Sequence, residues 1–163
     1  MRAYELGGRD AGVGTRKGPR YSERPEDYQR NMDRLAKKFE TARQFVPKPE
    51  VAGEGNAKVG IIAYGTTHWA IVESRDQLRQ EKKLETDYLR LRAFPFTKAV
   101  AEFIDGHERV YVVEQNRDAQ MFDLLRLDLT PAHISKMRSV RHYNGVPIDA
   151  RTVTDEIISQ EGR

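Results

Sequence analysis

Three short apolar runs, each ending in a loop and each followed by a helix-length segment, constrain this chain more than any other feature. They are KVGIIAYG (58–65), YLRLRAF (88–94) and RVYVVEQ (109–115). Runs of this length, rich in Val, Ile, Leu and Tyr, read as strands buried on both faces. Helices are expected over residues 67–83, within PFTKAVAEFID (95–105) and over about 119–129. ISKMRSVRHY (134–143) reads as a fourth, half-polar strand, and residues 151–160 as a closing helix with Thr152 and Asp155 in a capping-box pattern. Alternation of strand and helix at this spacing predicts an α/β, three-layer domain with a mainly parallel sheet over residues 58–163.

The residues before this domain follow other rules. Residues 1–24 are rich in Gly and Arg with little apolar material, and are expected to be an irregular arm. Within it Gly12-Val13-Gly14 is not a nucleotide loop, because no apolar strand precedes it and no apolar helix opens from it. Pro25 followed by Glu26 and Asp27 is a helix start. Tyr28, Met32, Leu35, Phe39, Ala42 and Val46 then recur at spacings of four and three, forming one apolar stripe on an amphipathic helix. Pro47 and Pro49 end it, and residues 25–57 divide into that helix and a Pro/Gly linker. The stripe needs a covering surface, which a neighbouring domain, this domain or a homodimer would supply.

Composition narrows the chemistry. The 163 residues contain no cysteine, which excludes disulfides, thiolate metal sites and Cys-ligated iron–sulfur clusters in this chain. No run approaches the roughly 20 apolar residues of a membrane span, and the start MRAYELGG lacks the apolar core of a secretory signal. Residues 1–58 hold 13 Lys/Arg against 9 Asp/Glu, whereas residues 59–163 hold 15 against 16, so the excess positive charge belongs to the N-terminal part. The signs are interspersed and no stacking aromatics line a basic stripe, which argues against nucleic-acid binding. His68, His107, His133 and His142 are scattered without His-x-x-x-His spacing, and Ser74 sits mid-helix with no neighbouring His, so neither a metal site nor a hydrolase triad is expected.

Two loops remain as candidate sites. Gly65-Thr66-Thr67 delivers a strand to a helix start, where backbone N–H groups and hydroxyls can hold an anion; ordinary helix capping explains the same residues. His68 and Trp69 follow, suited either to a partner contact or, for Trp69, to the core. The second loop is Glu114-Gln115-Asn116, with Gln120 soon after, at the carboxyl end of the most apolar strand. Ligands and partner surfaces gather at that edge of an open α/β sheet.

The segments RYSERPEDYQRNMDRLAKKFETARQFVPKPEV, GIIAYGTTHWAIVESRDQL, LRAFPF, VYVVEQNRDAQM and YNGVPI, in this order, resemble the C-terminal part of the alpha subunit of 2-oxoacid:ferredoxin oxidoreductases, in particular the two-subunit, 2-oxoglutarate type. The resemblance runs through nearly all of residues 20–163 and includes Gly65, Thr66, Pro95, Phe96, Glu114, Gln115, Asn116 and Gln120. It implies a fold like the C-terminal domain of transketolase and a role within a cytoplasmic complex. In the family the complete enzyme decarboxylates a 2-oxoacid on thiamine diphosphate with Mg, passes electrons through iron–sulfur clusters to ferredoxin and forms acyl-CoA. The diphosphate and Mg site of the family lies on the beta subunit, in a Gly-Asp-Gly motif. The nearest string here, Ile104-Asp105-Gly106, lacks the first Gly and reads as a turn.

The resemblance therefore implies a non-catalytic assembly domain, inactive alone. Its partners would be the beta subunit and the remainder of the alpha subunit, with ferredoxin and CoA met only through the full complex. Gly65, Thr66, Thr67, His68, Glu114, Gln115, Asn116 and Gln120 become interface or structural residues holding subunit geometry by hydrogen bonds. Two departures stand out: the family has Gly where this chain has Ala119, and a His in the Gly-rich stretch before YSERPED, where residues 1–20 have none. Beginning mid-family, the chain reads as a fragment or a separately encoded piece. The rival reading is a free-standing α/β regulator that binds a small ligand at Gly65-Thr66-Thr67.

Overall fold

The computed structural model describes residues 3–5 and 20–162, and the chain divides into two compact units between Phe45 and Val46. In the first, β1 (Ala3–Glu5) and β2 (Arg20–Ser22) pair antiparallel, with Tyr4 opposite Tyr21. Part of the stretch read as irregular is thus a two-stranded ribbon, which satisfies backbone groups that the apolar-poor sequence gave no reason to pair. Residues 1, 2 and 6–19 lie outside the described residues. Helix α1 (Pro25–Ala42) begins as expected, with Pro in the first turn and Glu26 and Asp27 at the positive end of the dipole. It stops at Ala42, short of Val46, because Pro47 disfavours helical backbone in the residue before it. No residue of α1 is buried; Met32 and Phe39 of the stripe are exposed.

The second unit is a five-stranded sheet in the order β3-β5-β4-β6-β7. Its strands are β3 (Glu50–Ala52), β4 (Val59–Tyr64), β5 (Thr86–Leu91), β6 (Arg109–Glu114) and β7 (Met137–Arg141). Strands β4, β5, β6 and β7 are parallel, and β3 runs antiparallel along β5. The segment read as a linker therefore contributes an edge strand, too short and too charged to register as a strand. Its Glu50 pairs across the edge with Arg90 and Arg92, a usual way of blunting an open edge.

Alternation along each strand fills two cores. Val59, Ile61 and Ala63 of β4, Tyr88 of β5, and Tyr111 and Val113 of β6 pack against α2 (His68–Lys82) and α6 (Ala150–Glu161). Ile62, Leu89, Leu91, Val110 and Val112 pack on the opposite face against α3 (Lys98–Asp105) and α4 (Gln120–Asp128). The result is the three-layer α/β domain that the strand spacing predicts. Two local readings change. Residues 131–136 form a short helix, α5 (Pro131–Lys136), where a strand is expected from Ile134; Thr130 and Pro131 supply its N-cap and first turn. Helix α6 is capped by Asp149, whose carboxylate accepts from Thr152 N at 2.7 Å, while Asp155 pairs with Arg151 instead.

Candidate functional site

The helices following β4 and β6, adjacent parallel strands, lie on opposite faces of the sheet. Such a divergence opens a crevice at the carboxyl edge, the usual ligand position in open α/β sheets. The loops Gly65-Thr66-Thr67 and Glu114-Gln115-Asn116 meet there. Gly65 has φ +60°, a backbone conformation costly for any side chain bearing Cβ, and Gly65–Thr67 form a 3-10 turn leading into α2. The Thr hydroxyls face across the sheet: Gln115 Nε2 donates to Thr67 Oγ1 at 3.1 Å and reaches Thr66 Oγ1 at 3.4 Å. Gln115 Oε1 accepts from Ile148 N at 3.1 Å. One carboxamide thus ties the first βα turn to the loop between β7 and α6. Thr67 makes no side-chain cap of α2, so its hydroxyl serves this cross-link rather than the helix end.

Glu114 has a different task. It is fully buried, and its carboxylate accepts from Met121 N at 2.8 Å, from Phe122 N at 3.1 Å and from the Asn116 amide. Asn116 Oδ1 accepts from Gln120 N at 3.1 Å, so Gln120 enters through its backbone. Together these oxygens satisfy the first N–H groups of α4, where a negative charge also meets the positive end of the helix dipole. The turn is completed by Ala119 at φ +54°, a left-handed position that glycine adopts at less cost. Glu114 O accepts from His142 N at 3.0 Å, and His142 Nε2 donates to Val146 O at 2.9 Å, which folds the YNGVPI loop back over the edge. Burial first, and then the Glu114 charge, push the Tyr64 phenol up.

His68 stacks on Tyr88, meets Trp69 at a tilt of 59° and shares a 3.3 Å hydrogen bond with the Tyr88 hydroxyl. Burial pushes that phenol up to about 12, so it stays protonated and can donate to His68 Nδ1. Trp69 is 74% exposed, which removes it from the core, and Phe94, Tyr143 and Val146 are exposed on other loops of the same edge. The edge therefore combines rigidly tied polar groups with outward aromatic ones. The four histidines have separate partners: Tyr88 for His68, Asp87 for His107, Asp105 for His133 and Val146 for His142. Among the described residues no group of three or more His, Asp or Glu is placed to hold a metal ion. Asp105 of the Ile104-Asp105-Gly106 string is exposed and paired with His133, and Gly106 caps α3, an arrangement unlike a diphosphate cradle. Sequence reasoning singled out both loops but missed Ile148 and His142, whose roles arise only when β7 is set beside β6.

These features define a parallel α/β domain whose carboxyl edge is cross-linked by its own side chains. No family model matches the chain. It is 30% identical over 122 residues to the alpha subunit of 2-oxoacid:ferredoxin oxidoreductase 2 from Aeropyrum pernix, covering 72% of this chain and 18% of that protein. It is 27% identical over 134 residues to the corresponding alpha subunit from Saccharolobus solfataricus, covering 78% of this chain and 20% of that one. In fold it matches the 2-oxoglutarate:ferredoxin oxidoreductase from Magnetococcus marinus, solved with 2-oxoglutarate, coenzyme A and succinyl-CoA bound, with a TM-score of 0.72 and 23% identity over 90% of this chain and 25% of that one. Over most of its length the chain is therefore related to alpha subunits of 2-oxoacid:ferredoxin oxidoreductases, as the resemblance in its sequence implies. It spans about a fifth of the length of the curated relatives it matches.

Proposed function

We propose that this chain is a non-catalytic assembly domain of such an alpha subunit, of the transketolase C-terminal type, in a cytoplasmic complex that oxidises a 2-oxoacid such as 2-oxoglutarate to acyl-CoA. The observation that carries this reading is the Gln115 cross-link. In an open α/β sheet the crevice between diverging helices is where a ligand would sit. Here its donors and acceptors are spent on Thr66, Thr67 and Ile148, while Glu114 and Asn116 are spent on α4. A site whose polar groups bond to one another and to loop backbone is one that positions loops. What it offers outward is Trp69, Phe94 and Tyr143, aromatic residue types enriched at protein contacts, together with Val146.

Thiamine diphosphate, Mg and the iron–sulfur clusters would then be held elsewhere in the complex, and ferredoxin and CoA would be met only through it. Its direct partners would be the beta subunit and the remainder of the alpha subunit. The purified chain is expected to show no 2-oxoacid-dependent reduction of a viologen dye, and turnover by the chain alone would overturn the reading. The rival, a small-ligand regulator at Gly65-Thr66-Thr67, predicts saturable heat on calorimetric titration with acyl-CoA, nucleotides or diphosphates. The assembly reading predicts none.

A further inference from the structure

At the opposite, amino edge of the sheet lies a buried Asp–His pair that the assembly reading does not use. Asp87, the second residue of β5, is 1% exposed. Its Oδ1 accepts from Gly55 N at 3.1 Å, and its Oδ2 from Ala57 N at 3.2 Å and from His107 Nε2 at 3.2 Å. The other ring nitrogen, His107 Nδ1, lies 2.6 Å from the Phe103 carbonyl oxygen, and the ring is packed on the Phe103 side chain. Two glycines make room for this assembly. A Cβ on Gly53, at φ +128°, would fall 1.9 Å from Asp87 Oδ1, and one on Gly60 would fall 2.7 Å from the Phe103 ring.

Both nitrogens of this ring face oxygen atoms, and a peptide carbonyl can only accept. Asp87 already accepts two backbone N–H groups, which favours its ionised form. A neutral imidazole has one N–H and one lone pair, so one of the two contacts would set a lone pair against an oxygen. We infer that His107 is held as a buried imidazolium, and that Asp87 and His107 form a proton-dependent clasp closing residues 53–57 over the amino edge of the sheet. The segment so held joins β3 to β4, and the clasp therefore keeps β3 paired along the edge of β5. Removing the ring proton turns one donor into a lone pair facing a carbonyl or a carboxylate. The clasp loosens, and the β5 edge is left to find another strand.

The charged groups around the ring are few. Asp87 faces it from β5; α3 presents the Phe103 carbonyl and ring, β4 presents Gly60, and the 53–57 segment presents backbone N–H groups to Asp87. Glu54 and Glu102 are exposed, Asp105 is paired with His133, and the flanking Lys58 and Glu108 pair with each other at 3.0 Å.

The test is a pH titration of the full chain labelled with nitrogen-15, reading the His107 ring nitrogens and the exchange protection of backbone amides together. The expected result near neutral pH is an imidazolium signature at both His107 nitrogens. On alkalinisation that signature should be lost, and protection at Val51, Gly55 and Ala57 should fall by about tenfold per pH unit up to that transition and level off above it, while Val112 and Val140 stay protected. His107→Gln should abolish this pH dependence. A neutral single-tautomer spectrum for His107 near neutral pH, or protection of the 53–57 segment unmoved when the ring loses its proton, overturns the inference. The wild-type titration decides it even where the variant does not fold.

Discussion

The two edges of the sheet solve the same problem in opposite ways. At the carboxyl edge, Gln115 is exposed and Glu114 is buried, and both bind backbone or hydroxyl groups of the loops that follow the strands. At the amino edge carboxylates hold the polar groups: Asp87 accepts from the His107 ring, and Glu161 pairs with Arg109 at 2.7 Å and accepts from the Tyr111 hydroxyl at 2.7 Å. A buried charge needs a compensating charge or several N–H donors, whereas a loop residue needs only a neighbour to hold it. The difference teaches that polar residues at strand ends do not by themselves mark chemistry. At one edge they fix the sheet's ends to each other, and at the other they fix loops that carry exposed aromatic side chains.

The largest expected effect breaks the amino edge. Asp87→Ala strips a partner from His107 and from two backbone N–H groups, and should cost about 3–5 kcal/mol in urea unfolding. Its pH dependence sharpens the point. Burial pushes the Asp87 carboxyl up, but the N–H groups of Gly55 and Ala57 and the His107 ring outweigh it and hold the group below the usual carboxylate range. The Asp87 contribution is therefore full above the unfolded value of about 3.9 and is lost as pH falls through the lower folded value. Asp87→Asn should flatten the acid limb of the stability curve, measured as urea midpoint against pH.

At the carboxyl edge the losses are graded. Glu114→Ala leaves the N–H groups of Met121 and Phe122 without an acceptor and should cost about 2–4 kcal/mol. Gln115→Ala removes the cross-link on an exposed side chain and should cost about 1 kcal/mol, with hydrogen exchange rising at Ile148 rather than throughout the sheet. Ala119→Gly should act in the other direction. It relieves a left-handed residue and is expected to stabilise the domain by about 0.5–1 kcal/mol in the same unfolding assay. A loss of stability on that change would contradict the backbone assignment of the turn.

Much of this architecture is legible in the sequence, and the illegible parts share a cause. The strands β4, β5 and β6 are buried on both faces, so they stand out as apolar runs, and the helices between them follow from their spacing. Strand β3 does not stand out: three exposed residues beside two prolines carry no period, and only pairing with β5 makes them a strand. The same holds for the site. Glu114, Gln115 and Asn116 announce themselves by interrupting an apolar run, but their partners Ile148, Met121 and Phe122 contribute backbone N–H groups, which no side-chain pattern reveals. Asp87 and His107 are 20 residues apart and each looks like an ordinary surface residue until β5 and the turn between α3 and β6 bring them together.

The smallest effect on stability is expected where the effect on assembly should be greatest. Trp69→Ala alters a side chain that is 74% exposed, so the unfolding midpoint should move by no more than about 0.5 kcal/mol. The central claim, that the crevice at the carboxyl edge is tied shut as a positioning device and does not receive a ligand, is tested most directly by calorimetric titration of the full chain with coenzyme A, 2-oxoglutarate and thiamine diphosphate, beside Gln115→Ala. The account predicts no saturable heat from any of the three with the wild-type chain. Saturable binding to the wild type that Gln115→Ala abolishes would contradict it.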